Sequence, residues 1–265
     1  MTLGSTRPGD GTAEAAFVLH HRPYQEHGQL LDCLTREAGL LRLVARGSRG
    51  GSRNGRLLGA LLQPFAPLRL AWSGRGELKS LTAAEASGMA LTLRGERWWS
   101  GCYLNELLLR LLSPFDPYPA LFQVYGRTVT ALAGDEAVAP LLRRFEWRLL
   151  TELGYAISFD HTLDGALQID VASSYRFDPA VGFIELARHE AASGHDCFSG
   201  AILLALAHDR LSESAALQAA KRLNELALAP HLRGHPLQTR ALYRRARVAL
   251  SMGADRDTQG LHDQH

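Results

Sequence analysis

The chain has 265 residues, of which 46% are hydrophobic and 21% are charged, and its formal net charge is +2. These values are ordinary for a globular protein of one large or two ordinary domains. No apolar run approaches the roughly 20 residues that span a bilayer, and no apolar leader segment is present, so the sequence argues against a membrane protein and predicts a cytoplasmic one.

The first part of the chain has a strand-like pattern. We expect residues 1–14 to be a disordered leader and residues 15–82 to form one domain. Apolar runs at 16–20, 30–35 and 40–45 predict three strands, and further strands are predicted at 61–72 and 77–82. Glycine and serine are frequent over 46–56, which predicts a flexible loop without helix or strand. Five short strands indicate a small closed barrel, of which the OB-fold is the common five-stranded case.

The second part of the chain has a helical pattern from residue 83 to residue 250. Apolar spacing predicts helices at 98–112, 119–132, 136–153, 200–208, 213–229 and 237–250. An irregular insert is expected at about 155–198, with two strands near 167–171 and 182–186, and residues 251–265 are expected to be a disordered tail. The fold class predicted is therefore α+β: an N-terminal five-stranded OB-fold barrel followed by an α-helical C-terminal domain.

Positive charge is concentrated in the predicted barrel. Between Arg36 and Lys79 the sequence holds nine basic residues and two acidic ones. Such a cluster is typical of an electrostatic footprint on a polyanion. Arginine outnumbers lysine 27 to 2, a ratio that phosphate recognition by guanidinium groups or a GC-rich genome would each produce. Genome composition does not explain the clustering.

The predicted loop supplies the first candidate binding residues, because a mobile cationic segment can follow a phosphate backbone without demanding one sequence. An ordinary solvated surface loop is the alternative. The candidates for DNA binding in and around the barrel are Arg42, Arg46, Arg49, Arg53, Arg56, Arg69, Arg75 and Lys79. Arg240 and Arg244 share one face of the last helix by spacing, where they could extend a DNA path or keep the helix soluble.

Two adjacent arginines and several aromatic residues are candidates in the helical part. Arg143 and Arg144 would normally lie on a solvated face, yet a guanidinium also pairs well with the carboxylates of an acidic peptide. Four aromatic side chains could stack on bases, although core positions explain most of them: Trp72, Trp98, Trp99 and Tyr103.

Enzyme and metal signatures are absent from the sequence. It contains no P-loop, dinucleotide-binding, zinc-protease or nucleophile-elbow motif. The three cysteines, Cys33, Cys102 and Cys197, form no CxxC pair, which excludes a four-cysteine zinc site and argues against a disulfide framework. We therefore expect no catalytic residue, no metal and no cofactor.

Several segments together resemble the RecO family of recombination mediators, from about residue 15 to residue 250. In the barrel they include Leu-Arg-Leu-Val-Ala-Arg-Gly at 41–47 and Leu-Gln-Pro-Phe-Ala-Pro-Leu at 62–68. In the helical part they include Leu-Arg-Arg-Phe-Glu at 142–146 and Gly-His-Pro-Leu-Gln-Thr-Arg at 234–240. Each segment is short, and their shared order and spacing carry the resemblance.

The resemblance implies a non-enzymatic protein that binds single- and double-stranded DNA and anneals complementary strands. It implies work with RecR and with the single-strand binding protein, SSB, to load RecA onto coated DNA, in the cytoplasm at the nucleoid. It also implies that the acidic C-terminal tail of SSB docks on the helical domain, with Arg143 as the best receptor candidate and Arg144 second. Many members carry a four-cysteine zinc module after Leu-Gly-Tyr, whereas residues 156–161 here contain no cysteine, as in a zinc-free branch.

Two other interpretations remain open at this point. One is an RNA-binding or RNA-processing factor built on an OB-fold, which a competition between single-stranded DNA and RNA would reveal. The other is an adaptor whose basic patch binds an acidic protein, which predicts no retention on nucleic acid at moderate salt.

Overall fold

The computed structural model describes residues 12–162, 167–187 and 193–232, together with 234, 236–239, 241–243, 245 and 246. The first strand begins at Glu14, inside the segment expected to be a leader. The expected tail at 251–265 lies outside the described residues.

The N-terminal part is a closed five-stranded barrel, as the sequence predicts. Its strands are β1 (Glu14–Tyr24), β2 (Gly28–Thr35), β3 (Gly39–Ala45), β4 (Pro67–Ser73) and β5 (Leu78–Ala86), in the order β1-β2-β3-β5-β4. Each pair is antiparallel except β3 with β5, which is parallel. Alternate residues such as Val18, Leu31 and Leu43 are fully buried in the barrel core. The predicted OB-type fold is confirmed.

The prediction of a flexible loop over 46–56 is wrong, because helix α1 (Arg53–Leu61) begins within it. The Ser52 hydroxyl caps this helix by accepting a hydrogen bond from the Gly55 amide at 3.1 Å. Gly55 and Gly59 lie on the side of α1 that packs against the preceding turn. A Cβ atom on Gly55 would lie 2.3 Å from the Gly47 carbonyl oxygen, and one on Gly59 would lie 2.4 Å from the Ser48 carbonyl oxygen. These glycines permit close packing of the helix.

Two further strand and helix predictions in this region are corrected. The strand predicted at 61–72 begins only at Pro67, because Leu58, Leu61 and Leu62 pack from the end of α1 into the barrel core. The change to helix predicted at residue 83 occurs later. Strand β5 continues to Ala86 and the next helix starts at Gly95.

The C-terminal part contains the predicted helices. They are α2 (Gly95–Leu111), α3 (Pro119–Ala133), α4 (Val138–Glu152), α5 (Gly200–Ala207) and α6 (Ser214–Leu228), each within three residues of its predicted ends. Residues 238, 239, 241–243, 245 and 246 are also helical, and the predicted remainder of that helix to residue 250 lies outside the described residues. None of the helices described is long and apolar enough to cross a membrane.

The insert between α4 and α5 contains a small antiparallel sheet in the order β7-β6-β8. Its strands are β6 (Ser174–Asp178), β7 (Gly182–Glu185) and β8 (Cys197–Ser199). The strand predicted at 182–186 is confirmed, and the one at 167–171 is wrong. Its apolar alternation was misleading because Leu167 and Val171 are 55% and 60% exposed. Among the residues described, no group of three His, Cys, Asp or Glu side chains could hold a metal ion.

A buried contact joins the barrel to the helices. The Phe17 ring on β1 lies 5.0 Å from that of Tyr125 and 5.2 Å from that of Phe122, both on α3. The Asn105 side-chain amide on α2 donates to the Leu19 carbonyl at 2.7 Å and accepts from the Tyr125 hydroxyl at 2.7 Å. Because one apolar cluster runs through both parts, the surfaces of the barrel and the helical domain are held in a fixed relation.

Candidate nucleic-acid interface

Four of the candidate arginines lie together at the C-terminal end of β3. We name this group the arginine corner: Arg46, Arg49, Arg53 and Arg56, all exposed. The backbone of the corner is ordered by the Arg49 amide, which donates to the His27 carbonyl at 3.0 Å, and by the Ser48 hydroxyl, which donates to the Ala45 carbonyl at 2.8 Å. The contact with His27 places the corner beside the β1–β2 turn.

The guanidinium groups of the corner are available to an external anion. Arg46, Arg49 and Arg53 form no ion pair with any carboxylate in the described part of the chain. The Arg56 guanidinium donates to the Gly51 carbonyl, a contact that orients it without neutralising its charge. Because the backbone that carries these exposed cations is already ordered, binding to phosphates needs to fix only their side chains.

Arg42 lies on the outer face of β3, and its charge is partly balanced. Its Nε atom is 2.8 Å from Oδ1 of Asp32 on the neighbouring strand, and Oδ2 of the same carboxylate is 3.7 Å from Nδ1 of His20. Arg42 therefore contributes less free positive charge to the barrel surface than the arginine corner does.

Arg75 lies at the opposite end of β3, and the side chain of Lys79, whose register partner on β3 is Leu43, reaches back to the same turn. The register pairs Arg42 with Leu78 in the parallel direction, so the β4–β5 turn that carries Arg75 lies beside the start of β3. Since β3 has seven residues, at a rise of about 3.3 Å each, roughly 20 Å separates the two basic groups. The Lys79 ammonium donates to the Gly74 carbonyl at 3.1 Å.

Of the remaining DNA-binding candidates, Arg69 belongs to neither group. Arg69 projects from β4, where its guanidinium donates to the Ala13 carbonyl and Glu85 is its register partner on β5. Arg240 and Arg244 lie outside the described residues.

The helical domain contains a cavity of about 690 Å³ beside α4, which we name the α4 groove. Its walls combine apolar and cationic side chains, among them Trp99, Tyr103, Leu142, Arg143, Leu217, Lys221 and Tyr243; the carboxylates Glu96 and Glu225 also line it. Lys221 is exposed. The groove can thus receive a segment that carries both apolar and acidic groups.

Arg143 is buried at the groove, with only 5% of its surface exposed. Its Nη2 atom donates to Oε1 of Glu146 at 2.6 Å. Its Nε and Nη1 atoms are also buried and have no hydrogen-bond partner among the described residues. An unpaired buried donor costs free energy, so a carboxylate that came into contact with either nitrogen would be stabilised by it.

The arrangement of Arg143 depends on Glu146, which is fully buried. The Glu146 carboxylate accepts the Tyr103 hydroxyl at 2.6 Å and the Asn224 side-chain amide. Arg144, the second sequence candidate, does not line the groove. It is exposed and pairs with Asp209, with Nε 3.0 Å from both carboxylate oxygens.

Sequence reasoning missed Glu146 and Lys221 as groove residues. The spacing of Arg143 and Glu146 by three positions on one helix was the available signal, because such residues are neighbours on the helix surface. In the sequence, the insert and α5 separate Lys221, on α6, from these two residues on α4. Only the packing of α6 on α4 brings Lys221 close to them.

A closed five-stranded barrel with a helix between β3 and β4 defines a protein of the OB-fold class. In this class the face of strands 2 and 3, with the β1–β2 and β4–β5 turns, is the usual site for oligonucleotides. The arginine corner lies beside the first of these turns, and Arg75 lies on the second.

Comparison with known proteins identifies the family. The model of the recombination protein O N terminal domain matches residues 12–89, and that of the recombination protein O C terminal domain matches residues 93–241. The DNA repair protein RecO of Pseudomonas aeruginosa strain PAO1 is 44% identical over 231 residues, which cover 87% of this chain and 94% of that protein. The RecO proteins of Tolumonas auensis and Yersinia pestis are each 42% identical, over 86% and 87% of this chain and 93% of their own lengths. The chain belongs to the RecO family of DNA repair proteins.

Proposed function

We propose that the protein is a non-catalytic recombination mediator. In this proposal it binds single- and double-stranded DNA, anneals complementary single strands, and helps to load RecA onto SSB-coated DNA in gap and break repair. The observation that carries the proposal is the arginine corner, a set of exposed arginines on ordered backbone beside an OB-fold turn, without carboxylate partners in the described part of the chain. Family membership supports the role in DNA repair. The RNA-binding and adaptor interpretations have no comparable support.

The physical basis proposed for annealing is charge neutralisation. Two complementary strands repel each other through their phosphates, and cations that bind the phosphates lower this repulsion. Arginine contacts to the backbone leave the base edges free to pair. The arginine corner and the group at Arg75 and Lys79 lie at the two ends of β3 and would hold one strand along the barrel. The binding of the second strand is assigned to the helical domain, where Arg240 and Arg244 remain candidates.

An annealing assay with SSB-coated complementary oligonucleotides tests the proposal directly. We expect the protein to raise the rate of duplex formation well above that of the SSB-coated strands alone. The DNA should be recovered intact in the presence of Mg²⁺. An annealing rate that does not depend on the protein would overturn the proposed function.

The double substitution Arg49→Ala with Arg53→Ala is expected to weaken binding to single-stranded DNA without unfolding the protein. If the wild-type protein neutralises about five phosphates, log K falls with log[salt] with a slope of about −3.5, and losing two contacts reduces the slope to about −2.1. Fluorescence anisotropy at several salt concentrations measures both the affinity for single-stranded DNA and the salt slope. Arg148→Ala is the matched control, since Arg148 is an exposed arginine already paired with Glu152 at 2.5 Å. Equal slopes for the double variant and the control would contradict the assignment.

We further propose that the α4 groove receives the acidic C-terminal tail of SSB, and that RecR is a second protein partner. Three features support binding of the tail. Arg143 lines the groove and has two buried nitrogens without a partner among the described residues. Lys221 adds an exposed ammonium, and the walls are largely apolar. A tail bound here would tie the protein to SSB-coated DNA while leaving the barrel free for the strand.

Lys221→Glu is expected to weaken binding of an SSB-tail peptide by about tenfold or more, because a charge-assisted contact is replaced by repulsion. Fluorescence polarisation with a labelled peptide measures the affinity. Arg143→Glu is a poor test, since it would place a second carboxylate beside Glu146; Arg143→Lys keeps the charge and should weaken the peptide complex less than Lys221→Glu. Arg144→Glu is the control outside the groove. If Lys221→Glu lowers the affinity for bare single-stranded DNA and leaves peptide binding unchanged, the assignment is wrong.

A further inference from the structure

A short motif occurs twice in the chain with the same backbone shape. Leu-Gln-Pro-Phe-Ala-Pro spans 62–67 and Leu-Ser-Pro-Phe-Asp-Pro spans 112–117. The first follows α1 and the second follows α2. In each, the proline forms a bridge with a barrel strand, Pro64 with Val18 and Pro114 with Leu40. In each, the phenylalanine has a positive φ, 71° for Phe65 and 62° for Phe115.

A positive φ is unfavourable for a bulky side chain, so the surrounding structure must compensate. For Phe65 the compensation is burial, since 3% of it is exposed and its ring fits against Gly101, where a Cβ atom would lie 2.7 Å from the ring. Phe115 is 42% exposed, so burial compensates much less. The fold therefore holds an exposed aromatic ring in an unfavourable backbone conformation.

The surroundings of Phe115 are cationic. The Lys79 ammonium lies 5.3 Å from the centroid of the Phe115 ring, and it also donates to Gly74 in the β4–β5 turn at 3.1 Å. Arg75, on the same turn, is exposed. The Phe115 amide donates to the Leu40 carbonyl at 3.1 Å, which fixes the ring at the start of β3. An aromatic ring thus lies beside the Lys79 ammonium, which also contacts the OB-fold turn that carries Arg75.

We propose that Phe115 is a stacking platform for one base of single-stranded DNA, with Lys79 and Arg75 contacting the adjoining phosphates. This inference rests on the proposed binding of single-stranded DNA and adds the position of a base. Any base can stack on a phenyl ring, because every base has a π-face, so the site would not select a sequence. The strand would run from Phe115 along β3, past Arg42, to the arginine corner.

The test is Phe115→Ala, measured by anisotropy with an oligothymidine and with an abasic oligonucleotide of equal length. Losing one stacked base should weaken oligothymidine binding about fivefold or more and leave the salt slope unchanged, because no charge is removed. Affinity for the abasic strand should stay near the wild-type value. Phe115→Trp should retain oligothymidine binding, and Phe115→Leu, which keeps an apolar side chain without a π-face, should lose it. Tyr155→Ala, at an aromatic side chain 51% exposed in the helical domain, is the control.

A purely structural role predicts another pattern. Phe115→Gly removes the backbone strain, so the melting temperature of this variant should equal or exceed that of the wild type. If Phe115 has a purely structural role, the same substitution should lower the melting temperature. If wild-type binding depends on salt and Phe115→Ala binds oligothymidine normally, the stacking site is refuted and the proposed function stands. If the variant loses only a protein partner, the surface is a protein contact and the inference also fails. A wild-type protein without salt-dependent DNA binding would refute the proposed function itself.

Discussion

Replacing Glu146 with alanine is expected to lower the free energy of unfolding by about 3–5 kcal/mol, because it leaves the Arg143 guanidinium buried without a counter-charge. Glu146 is fully buried on α4 and accepts hydrogen bonds from Arg143 at 2.6 Å, from Tyr103 at 2.6 Å and from Asn224. One carboxylate thus satisfies donors from three helices. Urea denaturation followed by circular dichroism measures the loss.

The neighbouring arginine provides the control for this prediction. Arg144 forms an ion pair with Asp209 in which both side chains are about half exposed, at 47% and 53%, so Arg144→Ala should cost no more than about 1 kcal/mol. Replacing Arg143 by methionine together with Glu146 by leucine should recover part of the stability, since removing both charges avoids an unpaired one, while the Tyr103 hydroxyl and the Asn224 amide still lose their acceptor. A loss as small for Glu146→Ala as for Arg144→Ala would show that the buried pair does not support the helical domain.

The buried network also bears on the α4 groove. Glu146 engages only the Nη2 atom of Arg143 and leaves Nε and Nη1 unpaired among the described residues. A second internal carboxylate would satisfy those nitrogens and remove the reason for a ligand to bind. We infer that the network balances the charge of Arg143 while keeping part of its hydrogen-bonding capacity for an acidic partner.

Much of the fold follows from local patterns in the sequence. The helices of the C-terminal domain are visible because their apolar residues recur at helical spacing, as at Leu141, Phe145 and Leu149, which are buried on one side of α4. The barrel is visible because short apolar runs alternate with turn residues. The strand predicted at 167–171 is wrong because Leu167 and Val171 are exposed and only Ile169, between them, is buried.

The parts that could not be predicted depend on contacts between distant segments. Gly55 is one of the glycines from which the sequence predicts a loop without a helix, whereas Gly55 and Gly59 both permit the close approach of α1 to Gly47 and Ser48. The clustering of arginines in the sequence did not indicate that Arg69, on β4, lies apart from the arginine corner. The exposure of the Phe115 ring could not be predicted from composition, although the second occurrence of its motif was a signal that it shares the backbone shape of Phe65.

The substitution Gly59→Ala is expected to destabilise the protein by about 1–3 kcal/mol and to weaken its binding to single-stranded DNA. Within a helix, alanine is normally more favourable than glycine by about 0.5–1 kcal/mol. A glycine-to-alanine substitution in a helix is therefore usually expected to stabilise a protein. Here the new methyl group would lie 2.4 Å from the Ser48 carbonyl oxygen, and backbone cannot move aside as a flexible side chain can. Helix α1 or the turn before it must shift. Because Arg49 follows Ser48 and Arg53 begins α1, either shift changes the spacing of the guanidinium groups.

Gly51→Ala is the matched control, because a Cβ atom at Gly51 meets nothing within 4 Å. It lies between Arg49 and Arg53 in sequence and should leave both the melting temperature and the DNA affinity close to those of the wild type. Thermal unfolding and anisotropy with the same oligonucleotide compare the two variants. If Gly59→Ala raised the melting temperature and left DNA affinity unchanged, the packing of α1 would not set the positions of the arginines. A loss confined to Gly59→Ala would mean that the arginine corner binds DNA as an ordered surface, whose geometry depends on a glycine with no charge of its own.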